Sequence, residues 1–507
     1  MSNFFITTAI DYINGKPHLG HAYEKIGADV LNRYKKLAGV SSYLLVGTDE
    51  HSVNVINSAE AAGLDPKAYC DRMALHFQQL CSIFNISYDR FIRTTDNDHR
   101  EVIQQVVQTL WERGYIRKGS YSGFYCESCE AFLQKEQLLD GYCPNHPSKK
   151  AVWVDEENYF FTLSLFQKQL EQHIEAHPQF IQPISRRNEI NNRLKEGLRD
   201  ISISRSSVQW GIPFPQDSSH TVYVWFDALL NYLTGSGYLS SEAAYQDNWP
   251  ADVQIIGKDI TWFHCIIWPA ILLALELTLP QKVFGHGFIN LHGEKLSKTS
   301  GVVLDPFALA EEFSADVIRY YLMKAIPWGQ DGNFSLDGLI TTYNNDLAND
   351  FGNLLSRTTA MINKYFAGRI PAPAAQTTAD QEIIAAAQET INNYHCFMEK
   401  MQYVDALTEV MNLVGRANLY IETTAPWRLF ADTSRHAILA TVLYNLIETI
   451  RLATWMLHPF MPSLKNRVWS QLGLELETPQ CKDGLIWGYA YHNVQINRQS
   501  PLFPRRI

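Results

Sequence analysis

The sequence predicts an α/β protein: a doubly wound parallel sheet, interrupted by an inserted segment and followed by a C-terminal α-helical bundle. Three observations carry that prediction. Short apolar runs at 4–9, 43–46, 253–256 and 283–288 alternate with helical patterns, as parallel strands joined by crossover helices do. Between about 115 and 224 the alternation gives way to clustered cysteines and aromatic residues. From about 344 onward the pattern is helical, with Leu347, Phe351, Leu354, Leu355, Met361 and Ile362 on one stripe.

The first run ends in a turn at Asn14-Gly15, and Pro17 then opens a helix, where its missing N–H is not needed. The second run ends at Gly47-Thr48-Asp49-Glu50, and the third is followed by Gly257-Lys258-Asp259. Ligands of such sheets sit at the carboxyl ends of the strands. The expected divisions are 1–114 and 225–343 for the two halves of the sheet, 115–224 for the insertion and 344–507 for the helical domain. A Pro- and Ala-rich loop over 371–378 separates helices within the last.

A chain of 507 residues needs two to four domains, and 46% hydrophobic residues suffice for their cores. The net charge of −10 argues against bulk electrostatic capture of long nucleic acid, though not against a nucleic acid read by local contacts. Basic residues gather only at Arg186, Arg187, Arg193, Lys195, Arg199 and Arg205. Glu189, Glu196 and Asp200 dilute them, which reads as a solvated helix face. No basic region precedes the first apolar run, and Asp11 cuts it off, so no signal peptide is expected. The stretch 265–275 reads as the most apolar; Pro269 breaks it, and it is shorter than the ~20 residues of a membrane span. Eight cysteines, three of them at metal-ligand spacing, suit a reducing cytoplasm.

Four groups of residues carry chemistry. His18, Gly20 and His21 stand where the first helix begins, and residues three apart share a helix face, so both imidazoles can address one anion. A helix N-terminus already favours phosphate, and Gly20 lets a ligand approach the backbone. Lys295 and Lys298 flank hydroxyls in Gly-Glu-Lys-Leu-Ser-Lys-Thr-Ser-Gly over 293–301, a loop suited to polyphosphate. Taken alone that loop reads as a solvated charged turn; its pairing with the histidines points to a nucleotide. Cys126-x-x-Cys129 and Cys143-x-x-His146 bring four ligands to a tetrahedral point, as structural Zn²⁺ prefers. Asn349, Asn353 and Arg357, four apart, face away from the Leu347 stripe, and Trp427 follows Ala425-Pro426. By themselves these are a polar helix face and a tryptophan stapling a helix start.

The His-x-Gly-His and Lys-x-Ser-Lys pair resembles class I aminoacyl-tRNA synthetases. The likeness to methionyl-tRNA synthetases runs through 9–34, 47–51, 223–228, 256–259, His286-Gly287 and the Lys295 loop to the last residues, 501–505. The resemblance implies that His18, His21, Lys295 and Lys298 are catalytic, and that with Gly20, Gly257 and Asp259 they bind Mg²⁺·ATP. It further implies a methionine pocket of Ala9, Ile10, Tyr12, Val224, Trp225, Ala228, Tyr232 and His286, with Asp49 meeting the substrate ammonium. Asn349, Asn353, Arg357 and Trp427 match the anticodon-reading set. The implied partners are methionine, ATP and initiator and elongator tRNA(Met), for a cytoplasmic monomer carrying one Zn²⁺ and binding no membrane.

An insertion of about 110 residues is too short for the editing module of the isoleucine, valine and leucine enzymes, and the compact knuckle is unlike the pocket zinc of the cysteine enzyme. Two departures stand out. The loop reads Lys-Leu-Ser-Lys-Thr where the family usually has Lys-Met-Ser-Lys-Ser, and Val302 replaces a frequent Asn. Two other readings, a small-molecule nucleotidyltransferase and a non-catalytic RNA-binding paralogue, fit less well. The first lacks the helical domain, and the second would have lost His18, His21 or Lys298.

Overall fold

The computed structural model describes residues 2–126, 131–133, 135, 138–144, 146–291, 294–295, 304–474, 484–488, 492–497 and 499–506. The chain divides into two compact units. One comprises Met1–Ala28, Ser41–Ser82 and Ser87–His286, the other Asp29–Val40, Ile83–Ile86 and Gly287–Ile507.

The first unit is built on β1 (Phe4–Thr8), β2 (Asp11–Tyr12), β3 (Ser42–Asp49) and β4 (Arg90–Arg93). The inserted segment supplies β5 (Ile116–Cys126), β6 (Ala131–Leu133), β7 (Tyr142–Cys143), β8 (His146–Lys150) and β9 (Val152–Phe161). Then come β10 (Ile181–Gln182), β11 (Ile201–Ser202), β12 (Ser204–Arg205), β13 (Pro213–Phe214) and β14 (Asp217–Val222). Last are β15 (Val253–Gly257) and β16 (Val283–His286).

The central sheet runs β10-β16-β15-β1-β3-β2, with β4 also on β3, and every pairing in it is parallel. Strand order reverses between β1 and β15, the switch point at which such sheets open a crevice. The strands are buried on both faces, and Phe5, Leu45, Ile92, Ile256 and Trp268 join one core. Between Thr7↔Leu45 and Asp11↔Thr48 the β1–β2 strand advances one residue more than β3. That extra residue falls in the pairing with β3 at the sheet's carboxyl end, while Ala9 N–H still donates to Ile255 O of β15 at 3.0 Å. Of the expected insertion 115–224, β10 belongs to this parallel sheet; its other strands pair antiparallel, the longest as a β5–β9 ribbon with β6 and β11 at its edges.

Pro17 does not begin the first helix, as the sequence suggested. The helix spans Leu19–Leu37, and Pro17 stands outside it, ahead of His18. The reason lies in the caps described below.

In the second unit a small sheet joins β17 (Ile289–Leu291), β18 (Glu294–Lys295) and, beyond helices Pro306–Phe313 and Ala315–Ala325, β19 (Gly332–Phe334). Helices Thr378–Glu399, Tyr403–Thr424 and His436–Leu457 pack on one another as the expected bundle. The apolar stretch 265–275 lies at the end of a short buried helical segment, Phe263–Ala274. Thr433–Leu457 is long and apolar enough to cross a membrane, and 89% of its apolar window is buried inside the molecule. The stripe that starts at Leu347 begins on a π-helical turn, Tyr343–Gly352, and continues as an α-helix, Asn353–Tyr365.

Candidate active site

The histidine pair forms a reciprocal cap. The backbone N–H of Gly20 donates to His18 Nδ1 at 3.1 Å, and that of His18 donates to His21 Nδ1 at 3.0 Å. This is the logic of a capping box, with imidazoles in place of hydroxyl and carboxylate. It starts the helix at Leu19 rather than at Pro17. A ring nitrogen that accepts a backbone N–H carries no proton, so each ring keeps its proton on Nε2. The rings lie 3.8 Å apart by centroid, and Phe77 meets His21 edge-on at 5.2 Å. A Cβ on Gly20 would fall 2.9 Å from His18 Cε1, so the room this glycine leaves is taken by the His18 ring.

The pocket residues expected on the sheet converge at its carboxyl end. Tyr12 meets Trp225 edge-to-face at 5.8 Å, and Trp225 stacks on Phe263 at 3.8 Å, making a continuous, half-exposed aromatic row. Val224, Ala228, Tyr232 and Asp49 are buried. Ile10 lies over Gly47, whose hydrogen cannot become a methyl because Ile92 O would stand 2.2 Å from it.

His286 stands at the end of β16, with Tyr23 edge-on to its ring at 5.6 Å. It pairs in register with Gly257, and its Nε2 lies 2.9 Å from Glu24 Oε2. The imidazole beside Tyr232 is His264, whose Nε2 accepts from the phenol at 2.7 Å while Nδ1–H donates to Ile260 O at 3.0 Å. Burial holds His264 at about 4, against the opposing pull of the Ile260 carbonyl and Glu24, so the ring is neutral. A π-helical turn, Phe263–Ile267, carries both Phe263 and His264. Sequence reasoning missed both, because π geometry spoils the helical period.

It also missed Glu24 and Lys25, whose signal was a charged pair among the apolar residues Ala22, Tyr23 and Ile26. Lys25 Nζ reaches Glu24 at 2.7 Å, Ala9 O at 2.8 Å and Asp11 at 3.0 Å. Burial opposes the charge on Lys25, but Asp11 and Glu24 raise its pKa well above the usual lysine range. Burial likewise pushes the Glu24 carboxyl up; Lys25 and His286 outweigh it and hold the group below the usual range. Asp259 is exposed, on the turn after β15, with Oδ1 so near Gly257 that a Cβ there would stand 2.8 Å away.

The strand end bearing Asp49 is braced from both sides. Glu50 accepts Arg93 at 2.7 and 2.9 Å together with Thr48 and Thr95, and Trp210 Nε1 donates to the Glu50 carbonyl at 2.7 Å. Not all of the basic cluster is a solvated face. Arg205 is 5% exposed and lies over Tyr223, and Arg193 lies over Trp262 at 3.9 Å. Aromatic surface holds these guanidinium planes.

Of the lysine loop, the backbone of Lys295 pairs with Asn290 in β18, and Lys298 lies outside the described residues. Of the metal ligands, Cys126 and Cys143 are buried at the ends of β5 and β7. Cys143 is registered opposite His146 between β7 and β8, and Cys126 opposite Ala131 between β5 and β6. Cys129 and the His146 side chain lie outside the described residues. Buried thiols at these two strand ends have the donor chemistry of a thiophilic ion such as Zn²⁺. In the helical unit Asn349 and Asn353 are exposed, Arg357 pairs with Glu422 at 2.5 Å, and Trp427 is 44% exposed.

Comparison with known proteins supplies the family. The family model for tRNA synthetases class I (M) matches residues 4–152 and 146–359, which makes the chain a class I tRNA synthetase. The anticodon binding domain of methionyl tRNA ligase matches residues 370–483. A methionine–tRNA ligase of Caldanaerobacter subterraneus is 45% identical over 99% of this chain and 78% of that one; its counterpart in Synechocystis is 40% identical over 99% and 97%. Methionyl-tRNA synthetase of Mycobacterium tuberculosis, solved in complex with methionyl-adenylate, is 37% identical over the full length of both chains, with a TM-score of 0.95. The chain belongs to the methionyl-tRNA synthetases, which activate methionine with ATP and load it onto tRNA.

Proposed function

We propose that the chain charges initiator and elongator tRNA(Met) in the cytoplasm as a monomer, through the residues expected from its sequence. The methionine carboxylate attacks the α-phosphorus of Mg²⁺·ATP; the new O–P bond forms as the bond to pyrophosphate breaks. The Nε2–H groups of His18 and His21 and the ammonium groups of Lys295 and Lys298 neutralise the charge that develops. The terminal ribose hydroxyl of the tRNA then attacks the adenylate carbonyl, and AMP leaves. The observation that carries this reading is the reciprocal cap: two neutral imidazoles whose Nδ1 atoms are occupied by backbone N–H groups and whose protons lie on Nε2.

Methionine binds against Ala9, Ile10, Tyr12, Val224, Trp225, Ala228 and Tyr232, with Asp49 taking the ammonium. Aromatic surface around a thioether favours it by about 0.3–1.5 kcal/mol per contact. His286, opposite Gly257 and beside Glu24, serves the nucleotide side together with Gly20, Gly257 and Asp259 rather than the methionine side chain. Zn²⁺ on Cys126, Cys129, Cys143 and His146 closes the two hairpins of the insertion and supplies stability, not chemistry. Asn349, Asn353, Arg357 and Trp427 read the anticodon loop by hydrogen bonding and stacking. Exchange of pyrophosphate into ATP, run with each of the twenty amino acids, tests the substrate. Stimulation by methionine alone is expected, and stimulation by another amino acid instead refutes the pocket.

A further inference from the structure

The helix that carries Trp225 and Ala228, Val224–Leu229, has six residues, too few to hold an orientation by itself. What fixes it is Asp227, 0% exposed. One carboxylate oxygen lies 2.7 Å from His51 Nδ1 and the other 2.7 Å from His99 Nε2. A carboxylate only accepts, so both facing nitrogens carry protons. His51 lies two residues beyond Asp49, past the end of β3, with Trp210 edge-on to its ring at 5.4 Å. His99 belongs to helix Asn97–Glu112, and its Nδ1 engages Thr234 Oγ1 at 2.9 Å. Burial pushes the Asp227 carboxyl up, and the two imidazoles hold it below the usual range.

Three separate segments thus meet on one carboxylate. A buried ionic cluster adds little net stability over apolar packing of the same volume, yet removing one member leaves the others unpaired. Its use at a joint between pocket walls points to registry. We propose that Asp227 is a positioning residue for the amino-acid pocket, tying the helix that bears Trp225 to the strand end that bears Asp49. Aromatic wall and ammonium anchor then keep one separation, and methionine selectivity depends on it. This rests on the pocket reading given above.

The test is pyrophosphate exchange by the full chain as a function of methionine and of ATP. Asp227→Asn turns an amide N–H₂ toward one of the two imidazole N–H groups. It is expected to raise KM for methionine roughly tenfold or more while KM for ATP stays within about twofold. His51→Asn places an amide N–H where Nδ1 stands, whereas His51→Leu does not; the first is expected to raise the methionine KM less than the second. An unchanged methionine KM in Asp227→Asn, or parallel increases for both substrates, overturns the proposal. Should Asp227→Asn not fold, equal methionine KM values for His51→Asn and His51→Leu overturn it as well. Lack of methionine-dependent exchange in the wild type overturns the pocket reading and this inference with it. Wild-type exchange with an indifferent Asp227→Asn overturns this inference alone.

Discussion

Gly20→Ala separates stability from catalysis at the phosphate end of the site. The new Cβ would stand 2.9 Å from His18 Cε1 and 3.0 Å from Nδ1. Carbon atoms in good contact sit about 3.5–4.0 Å apart, so the ring must swing away by about 0.5–1 Å. The 3.1 Å bond from Gly20 N–H to Nδ1 then breaks. Losing that cap costs about 1 kcal/mol, and alanine in a helix regains about 0.5–1 kcal/mol over glycine, so net stability barely changes. The catalytic loss is larger, because removing one preorganised donor typically lowers kcat about 10²–10³-fold. The assay is methionine-dependent pyrophosphate exchange at saturating substrates, with thermal unfolding run alongside. We expect Tm within a few degrees of wild type and exchange down by about two orders of magnitude. His18→Ala should show the same deficit, and the double variant should add nothing further, since both changes remove one group. Wild-type exchange in Gly20→Ala, or additive losses in the double variant, refutes the reasoning.

Other consequences can be measured in the same protein. His264 titrates at about 4 when folded against an ordinary 6.5. The unfolded chain therefore binds the extra proton between those values, so this stability is complete above about pH 6.5 and is lost as pH falls toward 4, by about 3 kcal/mol in all. The difference in unfolding midpoint between wild type and His264→Gln should shrink from pH 7 to pH 5; parallel profiles contradict the assignment. Metal analysis should find one zinc per wild-type chain and less in Cys126→Ser, with the variant melting earlier; equal zinc in both removes Cys126 from the ligand set. Arg357→Ala should weaken tRNA charging and leave methionine activation unchanged; an equal loss in both reactions points away from anticodon reading.

The parts of the molecule legible in the sequence are those whose signals are local. Parallel strands showed as apolar runs closed by turn residues, and the helical unit as the Leu347 stripe. The histidine pair showed as a motif, but its geometry did not. Only three-dimensional placement reveals that the imidazoles cap the helix and that Gly20 makes room for His18. Phe263 and His264 stayed hidden because a π-helical turn breaks the period by which a helix face is read. Asp227, His51 and His99 stayed hidden because each comes from a different segment, and no spacing along the chain joins them. The Lys25 cluster was half visible, as charge on a buried helix face, yet its partner Ala9 O is a backbone atom that no side-chain pattern discloses.

In the proposed reaction, imidazoles at the first helix and ammonium groups of the 293–301 loop act on one triphosphate. Single-turnover formation of methionyl-adenylate by Lys298→Ala tests it most directly. The expected rate is lower by orders of magnitude, with methionine affinity little altered, as for a group that acts in the transition state. A wild-type rate in that variant would contradict it.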